Sequence, residues 1–427
     1  MRTLTLKSPG ALSRLIGQIR PQSVATRRVE ARVRAILRQV QLEGDRALIR
    51  FTSQFDHYRL KPGRIRIAPT EIKQAYEEVS RADIEHLRRA ADRIRDFHER
   101  QKAQTWMVET PGVTLGQLVR PLETVGVYVP GGKAAYPSSV LMNVIPAKVA
   151  GVPRVVMCSP TPRGERNPYL LVAADIAGVT EIYTIGGAQA IGAMAYGTKT
   201  IPKVDKIFGP GNLYVALAKK LVFGTVGIDL LAGPSEIVVV ADDSAPPDYI
   251  VADLLSQAEH DEQAVSILIT PSEALIKEVR RLIPIQMARL PRARIIAASL
   301  KRFGVIIRVK GLEEAIEVAN GIAPEHLELA VKQPQELLPR VKHAGAVFLG
   351  SYTTESLGDY VAGPNHVLPT GGTARFSSPL SVEDFIKKTS LISFSKDGLA
   401  RVRDTVVRIA QMEGLQAHAG AVEVRLP

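Results

Sequence analysis

The chain has 427 residues, 45% of them hydrophobic and 23% charged, the composition of a soluble globular protein long enough to bury two or more cores. No stretch approaches ~20 uninterrupted apolar residues and the first residues lack the apolar block of a secretory signal, so no membrane partner and a cytoplasmic location are expected. The net charge of +12 raises nucleic acid as a partner, but the basic residues are spread at amphipathic spacing through RRVEARVRAILRQV and HLRRAADRIRDFHERQK without interleaved aromatics, which argues against it.

Residues 1–29 carry basic side chains and no acid, the first acid being Glu30, and residues 1–23 are read as an arm that packs on the body or on a partner subunit. From about Val24 to Trp106 apolar residues recur every three or four positions, predicting a helical layer with a short strand candidate at GRIRIAP. The period changes at Val125. Short β-branched runs (VGVYVP, RVVMCS, EIYTIG, KIFGPG, EIVVVAD) alternate with helical stretches (SSVLMNVIPAKVAGV, YLLVAADIAGV, QAIGAMAYGT, NLYVALAKKLVFG), the pattern of right-handed βαβ units around a parallel sheet. A second series has strands at VSILIT, GVIIRVK, LELAV and AGAVFLG, with helices from Pro247 to His260, Glu273 to Ile283 and Leu312 to Asn320. The tail reads as a helix-like run, SVEDFIKKTS, then a hydrophobic strand or hairpin piece, then a helix stopped at Gly414; its last segment, LQAHAGAVEVRLP, is too short to fold alone. The fold class is α/β, with two α/β domains.

Cys158, the single cysteine, excludes an intrachain disulfide and lies in RVVMCSP, a buried-strand setting poor for a nucleophile. Of the eight histidines, His57, His86, His98 and His343 sit in ordinary segments rich in Arg or Lys, where core or surface roles are expected. His260, His326, His366 and His418 stand among carboxylates or amides. Gln257 and His260, three positions apart near a helix end, project from one face and can share a metal ion; a merely polar helix end is the alternative. Asp359 and His418 would complete a mixed nitrogen and oxygen set suited to zinc, with no sulfur. Glu325 and His326, adjacent at the entry to a strand, can line one cleft as a carboxylate and an imidazole for proton transfer, or form a solvated turn.

Two glycine-rich turns, PGGK at Pro130 to Lys133 and GPGN at Gly209 to Asn212, lie between a strand and a helix, where backbone N–H groups face phosphates. Neither is a G-x-G-x-x-G fingerprint, and GGAQAIG at Gly186 to Gly192 misses that spacing too. GPSE, with Ser235, and NHVLPTGGTARF, with Asn365, His366 and Arg375, are pocket-building loops or tight connections.

Together VGVYVPGGKAAYPSSVLMN, GGAQAIGAMAYGT, IFGPGNLYV, AGPSEI, DLLSQAEHDEQA, APEHLEL and GDYVAGPNHVLPTGGTARFSSPLSVEDFIKKTS resemble the L-histidinol dehydrogenase family, in order, from about Val29 to Val424. The departures, Thr354 where proline often stands and LLAGPSE where methionine often precedes, touch no proposed ligand. The resemblance implies oxidation of L-histidinol through the aldehyde to L-histidine, the last two steps of histidine biosynthesis, with two NAD and one zinc per site. It implies Gln257, His260 and Asp359 as zinc ligands from one subunit of a homodimer and His418 from the other. These ligands also contact substrate, with Ser235, His326, His366 and Glu413. Glu325 and His326 are implied as the acid/base pair and Tyr128, Gln189 and Asn212 as NAD contacts. The implied fold is an incomplete Rossmann-like domain, residues 127–236, inserted in a main α/β domain of residues 24–126 and 237–380, with an N-terminal arm, residues 1–23, and a C-terminal tail, residues 381–427, exchanged in a homodimer.

Two rivals follow from the residues alone. A zinc hydrolase of a small nitrogenous substrate would use the same metal set with Glu325 as base. An aldehyde dehydrogenase-like enzyme would need Cys158 as nucleophile.

Overall fold

The computed structural model describes residues 1–6, 9–20, 25–131, 136–231 and 233–426. Its framework is two parallel sheets and a smaller antiparallel one. In the five-stranded sheet the order is Glu181–Tyr183, Arg154–Cys158, Thr124–Tyr128, Lys206–Phe208 and Gly227–Ile228. In the six-stranded sheet it is Arg2–Thr5, Val305–Arg308, Val265–Thr270, Glu236–Ala241, His326–Ala330 and Ala346–Leu349. All pairings in both are parallel.

Continuous apolar strands explain this choice. EIVVVA and VSILIT are buried at every position, so both faces of the sheet need a helical cover, which parallel crossovers supply. Helix ends are set locally: Ser80 accepts from the Asp83 N–H, Asn167 from Leu170, and Ser272 from Leu275, while Gly151 and Gly178 close helices in the left-handed conformation. No helix among the described residues is long and apolar enough to cross a membrane.

Several expectations change. EIVVVAD is a strand, but of the six-stranded sheet, not the last of the earlier series. GRIRIAP is a turn, Pro62–Arg64, followed by one bridge from Arg66 to Tyr183. The helical layer packs on the five-stranded sheet: Val33, Leu37 and Val40 join Ile191 and Met194 on one face, and Ile84, Ala91 and Ile94 join Val144 and Leu171 on the other. The apolar stripe from about Val24 to Trp106 announces helices without naming their partner. SVEDFIKKTS is not a helix. Val382–Phe385 forms one short turn of 3-10 helix and Ile386–Phe394 is a strand that pairs antiparallel with Val113–Pro121, itself paired with Trp106–Thr110. The arm does pack on the body, since Arg2–Thr5 pairs with Val305–Arg308.

The antiparallel sheet and the tail behind it are poorly covered in the single chain. Trp106, Met107, Val108 and Ile392 are exposed, as are Ile409 and Met412 from the helix Lys396–Met412 and Leu415 and Val424, which flank the helix Gln416–Glu423.

Candidate active site

The candidate site forms at the amino ends of two neighbouring central strands, Glu236–Ala241 and His326–Ala330, where His326 lies opposite Ile237 in the register. The helix Pro247–Ala258 brings Gln257 there at its last turn, with His260 just beyond, as the three-residue spacing requires. The short helix Glu355–Tyr360 supplies Glu355 and Asp359, four positions apart and so on one face.

His326 is buried, and its Nδ1 lies 3.1 Å from both the Glu236 carbonyl oxygen and the Gln257 Oε1. Both neighbours are acceptors, so Nδ1 carries the proton and donates, leaving Nε2 with a free lone pair. Burial pushes the imidazole down to about 4, keeping it neutral and available as a base at ordinary pH. Glu325 is buried beside it, its Oε2 accepting the Glu236 N–H at 2.9 Å and its carboxylate also hydrogen-bonded to Ser235. Burial holds its carboxyl well above the usual range, and the charges of Glu236 and Asp359 push the same way. Glu236 therefore serves both residues through its backbone, holding the carboxylate with N–H and the imidazole with C=O.

His260, Glu355 and Asp359 place ligand atoms within 4.8 Å of one another. His366 donates from Nδ1 to the Asp359 carbonyl oxygen at 3.0 Å, which ties the GPNH loop to the same short helix. Asn365 anchors that loop on the Pro137–Ala150 helix by donating to the Met142 carbonyl at 2.6 Å.

Glu355 escaped the sequence reading. It is 1% exposed, and neither of its carboxylate oxygens has a hydrogen-bond partner among the described residues; Gln257 Nε2 is also without one. Burial raises its carboxyl well above the usual range, with Asp359, Glu325, Glu328 and Asp253 adding to the effect. Uncompensated buried polar groups on this scale cost several kcal/mol, and the two orphaned carboxylate oxygens beside an imidazole belong to a group that could hold a cation. The donors are nitrogen and oxygen only, which fits zinc or another divalent ion. The signal in the sequence was the four-residue spacing of the two acids in ESLGD.

Ser235 hydrogen-bonds the Glu325 carboxylate. Glu413 and His418 do not join this cluster: both are exposed, Glu413 at the C-terminal cap of the helix Lys396–Met412 and His418 in the helix Gln416–Glu423, which packs chiefly on it. The arginine of the GTARF loop, Arg375, donates to the carbonyls of Asn320 and Gly321 and is a structural clamp.

The three dinucleotide candidates gather at the carboxyl ends of the five-stranded sheet. The Tyr128 hydroxyl accepts the Gly187 N–H at 3.1 Å, Gln189 is buried in the following turn of helix, and Asn212 caps Leu213–Val222 by accepting from Tyr214 and Val215. Burial raises the Tyr128 hydroxyl to about 12. The GPGN turn is fixed by a buried ion pair, Lys219 with Asp229: Lys219 donates to the Gly209 carbonyl at 2.9 Å and Asp229 accepts the Gly209 N–H at 2.7 Å. Gly209 has φ +104° and a Cβ there would lie 2.1 Å from the Tyr128 carbonyl oxygen. Gly209→Ala is expected to displace this turn, lowering the thermal midpoint and weakening dinucleotide binding together, which a melting curve and a titration would read. In the PGGK turn, Gly132 and Lys133 lie outside the described residues.

Cys158 is fully buried in its strand, where burial pushes the thiol up, so it is inert as a nucleophile. The aldehyde dehydrogenase-like reading falls with it.

A family model described as Histidinol dehydrogenase matches residues 19–426. The chain belongs to the histidinol dehydrogenase family. Histidinol dehydrogenase of Aquifex aeolicus is 58% identical over 396 residues, covering 93% of this chain and 92% of the relative. That of Syntrophotalea carbinolica is 55% identical over 399 residues, covering 93% of each. The crystal structure of histidinol dehydrogenase from Elizabethkingia anophelis superposes with a TM-score of 0.94 at 39% identity, covering 100% of this chain and 98% of that one. Membership of the histidinol dehydrogenase family makes the chain an oxidoreductase and displaces the hydrolase reading.

Proposed function

We propose that this chain oxidises L-histidinol to L-histidine through L-histidinaldehyde, using NAD as acceptor in both steps and one zinc ion per site, as the closing steps of histidine biosynthesis in the cytoplasm. The observation that carries the reading is the His326 imidazole, neutral and with Nε2 free, beside Glu325 and next to the His260, Glu355 and Asp359 cluster.

Gln257, His260 and Asp359 would hold the zinc, with His418 of the partner subunit. Bound there, zinc would supply a fixed point for the amino and imidazole nitrogens of the substrate, and NAD would supply the hydride acceptor. The chain's own groups handle protons. His326 takes the alcohol proton at Nε2 while Nδ1 stays anchored on Gln257 and Glu236. Glu325 takes a proton from the water that adds to the aldehyde, its carboxylate being held in place by the Glu236 N–H. Each oxidation thus releases one proton to the site and one hydride to a dinucleotide. Ser235, His366 and Glu413 orient the substrate, and Tyr128, Gln189 and Asn212 the dinucleotide. Exposure of the tail supports a homodimer in which it reaches the other subunit.

The purified protein is expected to form two NADH per histidinol, to lose this activity when stripped by a chelator, and to regain it with zinc. Fully metallated protein that forms no NADH from histidinol would overturn the reading.

A further inference from the structure

We propose that Arg20, at the end of the N-terminal helix, is a positioning residue for the Glu325 and His326 pair, acting through Glu236. The inference rests on the reading above that this pair carries the proton transfers.

Arg20 follows the helix Pro9–Ile19 and its guanidinium reaches into the six-stranded sheet. Nε donates to Glu236 Oε1 at 2.6 Å and Nη2 to Glu236 Oε2 at 2.5 Å, a two-bond fork that fixes the carboxylate in plane as well as in position. The third donor, Nη1, reaches the Ile322 carbonyl at 2.9 Å. Ile322 ends the helix Leu312–Ile322, and only Ala323, left-handed at φ +52°, and Pro324 separate it from Glu325. One guanidinium thus ties the first residue of one central strand to the turn that delivers the pair at the start of the next. Glu236 then holds Glu325 by its N–H and His326 by its C=O.

The fork is partly buried, with Glu236 4% and Arg20 16% exposed at the side chain, so water replaces a lost bond to the Glu236 carboxylate poorly. An arginine is needed because three acceptors in two segments are met by one planar group; a lysine ammonium keeps the charge but not the fork. A purely structural strut would lower stability and leave the properties of the folded fraction unchanged. A positioning residue alters turnover in protein that is fully folded and fully loaded, because a displacement of about 1 Å near a reacting atom is felt as a large rate loss.

The test compares Arg20→Met, Arg20→Lys and Glu325→Gln as full-length, zinc-loaded enzyme, with zinc content and thermal midpoint measured beside kcat and KM from histidinol and from histidinaldehyde. Arg20→Met is expected to lower kcat about 10- to 100-fold in folded protein, with KM for histidinol and NAD within about threefold, and Arg20→Lys to fall between it and the natural chain. Wild-type kcat in folded Arg20→Met, or losses that only follow the folded fraction, overturns the proposal. If Arg20→Met does not fold, Arg20→Lys decides: reduced kcat at unchanged KM supports positioning, and natural turnover overturns it. Glu325→Gln active at both steps would instead sink the reading of the catalytic pair, a separate failure.

Discussion

Replacing His326 by asparagine is expected to cut the oxidation of histidinol by about 10²- to 10⁴-fold, while Glu325→Gln leaves that step within a few-fold and imposes a comparable loss on the oxidation of histidinaldehyde. Both substitutions keep the scaffold. The asparagine amide can still donate to the Gln257 and Glu236 oxygens that hold Nδ1, and what disappears is the free Nε2. The glutamine carbonyl can still accept the Glu236 N–H, and what disappears is the ability to take up a proton. Each variant therefore removes one base from an otherwise unchanged site. The separation is read by starting the enzyme from histidinol and, independently, from histidinaldehyde and following NADH. Equal losses on both substrates in Glu325→Gln would mean that the two residues act as one unit and that the division of labour is wrong.

The pair was visible in the sequence because adjacent residues at a strand entry need no long-range information. Gln257 and His260 were visible for a similar reason, since three-residue spacing on a helix fixes a shared face whatever the helix packs against. The link from Arg20 to Glu236 spans 216 positions and joins an arm to a sheet, so no local pattern could disclose it. Glu355 stayed hidden because an acid beside Ser356 and Leu357 in a six-residue helix reads as surface; its near-complete burial is a property of the packed loop.

The alternation of strands and helices predicted the parallel sheets, as continuous apolar runs separated by helices permit little else. The antiparallel sheet is legible only in part: the strand piece expected after SVEDFIKKTS is the second half of Ile386–Phe394, while its first half reads as helix and Trp106–Thr110 does not read as a strand. Val382, Phe385 and Ile386 recur at helical spacing although Ile386 opens a nine-residue strand, and Trp106–Thr110, exposed at every position, shows no inward and outward alternation to detect. A sheet whose apolar side chains are exposed in the single chain cannot show the burial pattern that marks an ordinary strand.

That exposure leads to the second large effect. Two variants that are each inactive, His326→Asn and His418→Asn, are expected to regain about one quarter of natural activity when their chains are produced together and pair at random. The arithmetic follows from a site built from the body of one subunit and the tail of the other. Random pairing gives mixed dimers in about half of the assemblies. In a mixed dimer one site combines the His326→Asn body with the His418→Asn tail and carries both defects. The other combines the natural His326 with the natural His418 and carries none. Neither homodimer contains an intact site. If instead each tail served its own body, every site would keep one defect and mixing would restore nothing. The structure leans toward exchange, since His418 is exposed, its helix packs chiefly on Lys396–Met412, and the same unit presents Ile409, Met412, Leu415 and Val424 to solvent. Zinc content gives a readout besides turnover: His418→Asn alone is expected to bind the metal weakly, and the mixture to hold an intermediate amount. Restored activity without any mixed dimer would point to a different cause, and mixed dimers without activity would place His418 outside the site.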